Sequence, residues 1–172
     1  MQQLVHADLV ADVREALTAT GLAPEQLVLE LTETAFTDQV DRASGTIAAL
    51  RELGVRIAID DFGTGYSSLS YLQQFPVDVL KIDRSFVAGM LDGSQHPAVV
   101  QAIVELGHSL DLQTVAEGIE QDGELAQFRA LQCHRGQGWL FARPDPGAAV
   151  EELLRRRRVP IATALQPVDE LH

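Results

Sequence analysis

The chain has 172 residues, 46% of them hydrophobic, and a formal net charge of −12 at pH 7. This charge disfavours nonspecific binding to DNA or to anionic lipid, and the single cysteine, Cys133, excludes an internal disulfide and is expected in the core. No apolar run approaches the roughly 20 residues of a membrane span, and Met1–Asp8 lacks a signal-peptide pattern, so we expect a soluble domain in the cytoplasm.

The first half of the chain alternates helix and strand patterns. Apolar residues at helical spacing predict a helix over Asp8–Thr20, and a strand over Leu27–Glu33 follows it. A second amphipathic helix, Asp38–Leu53, leads into a strand over Arg56–Asp61. The glycines of Phe62–Ser68 then predict a loop.

The second half repeats this alternation. A short helix over Leu69–Gln74 precedes a strand over Val79–Asp83, and His96–Leu110 has the pattern of a longer helix. A strand over Gln113–Glu117 then leads into a helix over Asp122–Leu131. This repeated order of helix and strand is typical of an α/β fold with a parallel sheet.

The last elements bring the prediction to five strands and five main helices. We predict a final strand near Gly136–Phe141 and a closing helix over Pro146–Arg157. Residues 1–158 would form one domain, and Val159–His172, with two prolines and little periodicity, would form a loose tail. We interpret the basic run Arg155–Arg158 as the solvated end of the closing helix rather than as a polyanion-binding patch.

Four predicted strands carry charged side chains at or near their ends. Glu30, Asp60, Lys81 and Glu117 alternate with apolar neighbours, so they are expected on the face of each strand that is turned away from the outer helices. In a parallel barrel, such residues meet at the carboxyl ends of the strands, which predicts a site for a hard metal ion. In any one strand a terminal charge can simply mark the return of the chain to water. Charged side chains at the ends of four successive strands favour the metal site over this simpler explanation.

The length limits how much of a barrel the chain can form. A complete eight-stranded TIM-like barrel takes about 250 residues. We therefore predict an incomplete TIM-like (β/α) barrel of about five strands with flanking helices and open sheet edges.

Other site types fit the sequence less well. Asp61, Phe62 and Gly63 spell a triplet of protein kinases, but the glycine-rich and catalytic loops of kinases do not accompany it in the sequence. The five histidines show no paired spacing of a zinc site. For Lys81 a structural alternative stays open, namely an ion pair with Asp83 or with a neighbouring carboxylate.

Five short motifs follow one another along the chain. They are Glu-Leu-Thr-Glu at Glu30–Glu33, Asp-Asp-Phe-Gly-Thr-Gly at Asp60–Gly65, Lys-Ile-Asp at Lys81–Asp83, Ala-Glu-Gly-Ile-Glu at Ala116–Glu120 and Gln-Gly-Trp at Gln137–Trp139. In this order they resemble the motifs of EAL domains, the cyclic-di-GMP (c-di-GMP) phosphodiesterases of bacteria. Together the motifs span most of the chain, which makes the resemblance specific.

The resemblance implies hydrolysis of one phosphodiester bond of c-di-GMP to linear pGpG with Mg²⁺ or Mn²⁺. It implies Glu30, Asp60, Asp61 and Glu117 as metal ligands. It also implies catalytic roles for Lys81, which would hold the attacking water, and for Glu117, which would help to orient it. Asp60 and Asp61 are adjacent and would point to opposite sides of a strand, so both can bind metal only if the chain bends there.

Three further residues are expected to support the site. The resemblance implies that Glu120 tethers the Phe62–Ser68 loop, which in the family is tied to metal placement and dimerisation. It also implies that Gln137 lines the mouth of the barrel. Asp83 is expected to support the substrate or a loop. Glu33 has the opposite parity in its strand and is interpreted as structural.

The resemblance also implies an N-terminal truncation. The naming Glu-Ala-Leu of the family, and an Asn ligand on a later strand, precede the stretch that Gln2–Val10 resembles. Three explanations stay open for this expectation: a misplaced gene start, a chain that is one piece of a longer signalling protein, or a fragment that has lost catalysis. Two hypotheses follow: a c-di-GMP phosphodiesterase domain that is impaired as this isolated fragment, or a noncatalytic c-di-GMP receptor or protein-interaction module. The expected partners are c-di-GMP and either a homodimer partner or other domains of a longer signalling protein.

Overall fold

The computed structural model of the chain describes residues 8–32, 40–64, 72, 76–91 and 96–155. The chain divides into two units, Met1–Leu80 and Lys81–His172. The elements are α1 (Leu9–Thr20), a short 3₁₀ helix (Pro24–Gln26), β1 (Val28–Thr32), α2 (Val40–Glu52), β2 (Arg56–Phe62), β3 (Val79–Ile82), α3 (Arg84–Ala88), α4 (His96–Ser109), β4 (Gln113–Ala116), α5 (Asp122–Ala130), β5 (Arg135–Gly136) and α6 (Gly147–Arg155).

The strands follow one another in a single sheet in the order β1-β2-β3-β4-β5. The β1/β2 and β4/β5 pairs are parallel, and β3 contains the boundary between the two units. Strands of a parallel sheet are covered on both faces and are therefore apolar along their length. All four residues of β3 are buried. These features confirm the α/β class and the five strands, and within the described residues the strand order is linear, as expected of an incomplete barrel.

In the first unit, Asp78 connects α2 to β2. Its carboxylate accepts the backbone N–H of Ile57 at 2.8 Å and contacts the guanidinium of Arg51 at 3.3 Å. The N–H of Asp78 donates to the carbonyl of Ile57 at 2.9 Å, so the backbone is joined in both directions. Leu50 of α2 and Ile57 of β2 are fully buried. Helix and strand thus share the Asp78 carboxylate, and each buries an apolar side chain.

In the second unit the core is built from β3, β4, the helices α3, α4 and α5, and the loops next to them. The fully buried side chains there are Ile82, Val87, Val100, Val104, Thr114, Ile119, Phe128 and Cys133. Burial raises the pKa of the Cys133 thiol, so the thiol stays protonated and unreactive at neutral pH. The expectation that Cys133 is a core residue is confirmed.

Two elements differ from the prediction. Helix α3 was not predicted, because five residues are too few to show a helical period; it begins where Asp83 accepts the N–H of Ser85 at 3.0 Å. Strand β5 has two residues, whereas Gly136–Phe141 was predicted as strand. Residues 139–141 instead form a turn in which the N–H of Phe141 donates to the carbonyl of Gly138 at 3.1 Å.

Some predictions fall on residues outside the described ranges. They are Glu33, most of the Phe62–Ser68 loop, most of the helix predicted over Leu69–Gln74, and the tail Val159–His172. Where the chain is described, it contains no helix with the length and apolar character that a membrane span requires.

Candidate functional site

The two aspartates at the end of β2 lie where the chain bends. Asp61 has a φ of 57°, in the left-handed region, which aspartate tolerates better than most residues. Its carbonyl accepts the hydroxyl and the backbone N–H of Thr64, at 2.8 and 3.3 Å, so a tight turn follows the strand. Gly63, with a φ of 95°, continues the turn. The bend that both carboxylates require is therefore present, and it is made at Asp61 itself.

Glu30 lies on the neighbouring strand, β1. In the parallel register Glu30 is opposite Ala58, and Asp60 follows Ala58 by two residues. Because residues two apart on a strand share a face, Glu30 and Asp60 are on the same face of the β1/β2 pair. Glu30 is exposed to solvent.

Lys81 and Glu117 form a largely buried ion pair in the second unit. The ammonium of Lys81, on β3, lies 2.7 Å from the Glu117 carboxylate, and the side chains are only 7% and 17% exposed. Glu117 directly follows β4, and its N–H donates to the carbonyl of Ile82 at 3.1 Å. The alternative that Lys81 pairs with a neighbouring carboxylate is thus realised with Glu117. Asp83, the other carboxylate considered, caps α3.

Glu120 and Gln137 line a cavity of about 360 Å³ in the second unit. Arg84, Trp139 and Arg143 contribute to the same wall, and the Arg143 guanidinium lies 4.6 Å from the centre of the Trp139 ring, in a cation–π contact. Trp139 is 53% exposed, so one large aromatic surface is presented to solvent beside the cavity. Trp139 belongs to a recognised motif, but nothing in the sequence pattern indicated the two arginines.

The backbone around Ile119 holds the turn that carries Gln137. The N–H of Ile119 donates to the carbonyl of Gln137, and the carbonyl of Ile119 accepts the N–H of Leu140, each at 3.0 Å. Gly138 lies so close to the backbone of Ile119 that a Cβ at this position would overlap it. The position of Gln137 therefore depends on a direct backbone contact between two loops.

His134, directly before β5, forms hydrogen bonds to Thr114 of β4. Its Nδ1 accepts the backbone N–H of Thr114 at 3.1 Å, and the N–H of His134 donates to the Thr114 hydroxyl at 3.2 Å. This geometry requires an unprotonated Nδ1, so the neutral ring carries its proton on Nε2. Burial lowers the pKa of His134, as do the nearby His108 and Arg135, while Asp111 opposes them.

We predict that acidification destabilises the protein through His134. Because the pKa of His134 is lower in the folded chain than its ordinary value of 6.5, the unfolded chain binds the proton more readily. The contribution of neutral His134 to the free energy of unfolding is fully present above pH 6.5. It is lost as the pH falls through the lower pKa that His134 has in the folded chain. Urea unfolding at a series of pH values between 7.5 and 5 measures it. The variant His134→Gln should show a flatter dependence, and identical slopes would contradict the prediction.

The chain belongs to the EAL domain family, whose model matches residues 1–144. It is 45% identical over 167 residues to the cyclic di-GMP phosphodiesterase NbdA of Pseudomonas aeruginosa, a match that covers 97% of this chain and 21% of NbdA. The chain thus spans about a fifth of the length of this curated relative. EAL domains are TIM-like barrels, in agreement with the predicted fold class.

Two solved structures show the similarity in three dimensions. The PaMucR phosphodiesterase in complex with c-di-GMP superposes with a TM-score of 0.82 at 43% identity, covering 86% of this chain and 60% of that one. BlrP1 of Klebsiella pneumoniae, in a complex with manganese and c-di-GMP, gives a TM-score of 0.77 at 37% identity, covering 82% of this chain and 36% of that one. At these identities the likeness extends beyond the fold to the family.

Proposed function

We propose that the chain is a c-di-GMP phosphodiesterase domain that hydrolyses c-di-GMP to pGpG with Mg²⁺ or Mn²⁺. The observation that carries this proposal is the buried pair of Lys81 and Glu117 at 2.7 Å, in a member of the EAL domain family. A charged pair kept so far from solvent costs desolvation energy, and such pairs are weak evidence for stability alone. A catalytic use explains why both charges are kept there. The c-di-GMP bound to PaMucR supports this choice of substrate.

The proposed metal ligands fit a hard divalent ion. Glu30, Asp60, Asp61 and Glu117 offer only carboxylate oxygens, the donors that Mg²⁺ and Mn²⁺ prefer. Asp60 and Asp61 are adjacent in β2, and Glu117 directly follows β4. Manganese in the BlrP1 complex supports the same assignment. Bound divalent ions would neutralise charge on the phosphodiester and lower the pKa of a water molecule.

Lys81 and Glu117 then act on the attacking water. An ammonium has three N–H donors, so Lys81 can contact Glu117 and still donate to the oxygen of a water molecule. The second oxygen of Glu117 can accept a hydrogen bond from that water and orient its lone pair toward phosphorus. The new bond joins the water oxygen to phosphorus as the water releases a proton, the P–O bond to one ribose breaks, and the leaving ribose oxygen takes up a proton, which opens the ring to pGpG.

The remaining assignments concern support of the substrate and of the loop. Gln137, on the cavity wall, would donate to or accept from c-di-GMP, and Asp83 would support the segment that follows Lys81. The tether from Glu120 to the Phe62–Ser68 loop involves residues that are not described and stays a prediction. We further propose that the chain associates with a second copy of itself or with other domains of a longer signalling protein. Light scattering of the purified chain would measure the association with a second copy.

Turnover and binding assays test the proposed function together. The purified 172-residue chain is incubated with c-di-GMP and Mn²⁺, pGpG is measured by chromatography, and binding is measured by calorimetry with Ca²⁺. We expect slow formation of pGpG that EDTA abolishes, in line with an isolated domain of impaired activity. Fast turnover would contradict the impairment. Binding without turnover would support the alternative of a noncatalytic receptor, and the absence of both would refute the proposed function.

A further inference from the structure

Glu124, on α5, has a buried carboxylate that binds the chain preceding the helix. The residue is only 3% exposed, and the same oxygen, Oε2, accepts the backbone N–H of Glu120 at 2.8 Å and of Gln121 at 3.0 Å. Hydrogen bonds from backbone N–H groups to a carboxylate are charge-assisted and stronger than those between neutral groups. Burial strengthens them further, because the local dielectric constant is low.

One of these two bonds exceeds what a helix cap requires. Gln121 is the N-cap of α5, so the bond from its N–H to Glu124 is the reciprocal bond of a capping box. Glu120 lies one residue before the cap, outside the helix, and its N–H is not among the amides that the helix leaves unsatisfied. The second bond therefore fixes the loop and not the helix.

The loop in question carries two residues of the candidate site. It begins at Glu117, which contacts Lys81, and it ends at Glu120, which lines the cavity with Gln137. In between, the N–H and carbonyl of Ile119 are bound by backbone groups of the neighbouring turn. The end of the loop at Glu120 is the part that Glu124 holds.

We propose that Glu124 is a positioning residue of the site, which holds Glu120 at the cavity wall through its backbone amide. This inference rests on the proposed function. Glu124 is not among the residues that line the cavity, and it acts through the backbone amide of Glu120. The spacing of Gln121 and Glu124 could have indicated a cap from the sequence, whereas the bond to Glu120 required the structure.

Three variants of the full 172-residue chain test the inference. In Glu124→Ala both hydrogen bonds are lost. In Glu124→Gln a single amide oxygen can replace Oε2 and accept both N–H groups, so the geometry is kept without the charge. Val104→Ala removes buried side-chain volume on α4, a different element from the loop, and controls for a general loss of stability.

Hydrogen exchange by NMR gives a readout that needs no catalysis. In Glu124→Ala the amides of Glu120 and Gln121 should exchange about tenfold faster or more relative to amides of the core. Glu124→Gln should keep both rates within about threefold of the wild-type rates, and Val104→Ala should leave them unchanged relative to the core. Equal rates at Glu120 in the wild-type protein and in Glu124→Ala would overturn the inference.

Turnover of c-di-GMP gives the second readout. Glu124→Ala should lower kcat/KM by about tenfold to a hundredfold, as is typical of groups that orient a site through a neighbour, and Glu124→Gln should restore most of it. Val104→Ala, assayed well below its Tm, should retain activity; a loss in Val104→Ala equal to that in Glu124→Ala would overturn the positioning role. If the wild-type chain does not hydrolyse c-di-GMP, the proposed function fails, and the exchange rates alone decide whether Glu124 holds Glu120.

Discussion

Replacing Glu117 by alanine should destabilise the protein by about 3–5 kcal/mol and abolish measurable hydrolysis of c-di-GMP. The substitution removes the carboxylate that lies 2.7 Å from the Lys81 ammonium, and the side chain of Lys81 is only 7% exposed. The lysine would then carry a buried charge without this counter-ion, which is strongly destabilising. The same carboxylate is the proposed metal ligand and orients the water, so activity should fall by about a hundredfold or more. Urea unfolding and pGpG formation measure the two effects separately.

A double variant separates stability from activity. Lys81→Met with Glu117→Gln removes both charges at similar volume, which is often neutral or stabilising for a buried pair. We expect unfolding free energy close to the wild-type value but no hydrolysis. An active double variant would contradict the catalytic role of the pair.

A second ion pair in the chain provides the matched control. Arg155 and Glu151 are 2.6 Å apart on α6, but their side chains are 68% and 64% exposed. Because water screens such a pair, Glu151→Ala should change the unfolding free energy by less than about 0.5 kcal/mol and leave hydrolysis intact. Similar costs for Glu151→Ala and Glu117→Ala would show that burial does not govern the Lys81 pair.

The strands that carry the proposed site residues could be predicted from the sequence because strand patterns are local. Alternation with a period of two assigned Asp60 to the end of β2 and Lys81 to β3, and the structure has both strands there. The bend at Asp61 also followed from local reasoning, since two adjacent ligands cannot share one face of an extended strand. The metal and catalytic roles of these residues, in contrast, stay proposals.

What the sequence did not predict depends on contacts between distant residues. The apolar residues Trp139, Leu140 and Phe141 suggested a strand, but the carbonyl of Ile119 binds the N–H of Leu140 and holds the segment in a turn. The two amides at Glu124 and the stacking of Arg143 on Trp139 are likewise visible only once the loops are in place. Local propensity does not encode such contacts, because tertiary packing overrides it.

Replacing Gly138 by alanine should cost about 3 kcal/mol or more in unfolding free energy, the upper part of the range for overpacked positions. The added Cβ would overlap the backbone nitrogen and oxygen of Ile119, and backbone atoms cannot rotate away as a side chain can. The same two backbone groups bind the carbonyl of Gln137 and the N–H of Leu140, so both hydrogen bonds should weaken. Thermal unfolding and exchange of the Ile119 amide measure the loss.

Two other glycines give a graded control for this prediction. A Cβ at Gly147, at the start of α6, would meet no atom within 4 Å, so Gly147→Ala should leave stability unchanged or slightly higher. A Cβ at Gly136 would lie 2.7 Å from Cδ1 of Ile119, the far end of a flexible side chain that can move, so the cost should be intermediate. If all three variants have the same Tm, the close approach of Gly138 to the backbone of Ile119 does not hold Gln137 at the cavity.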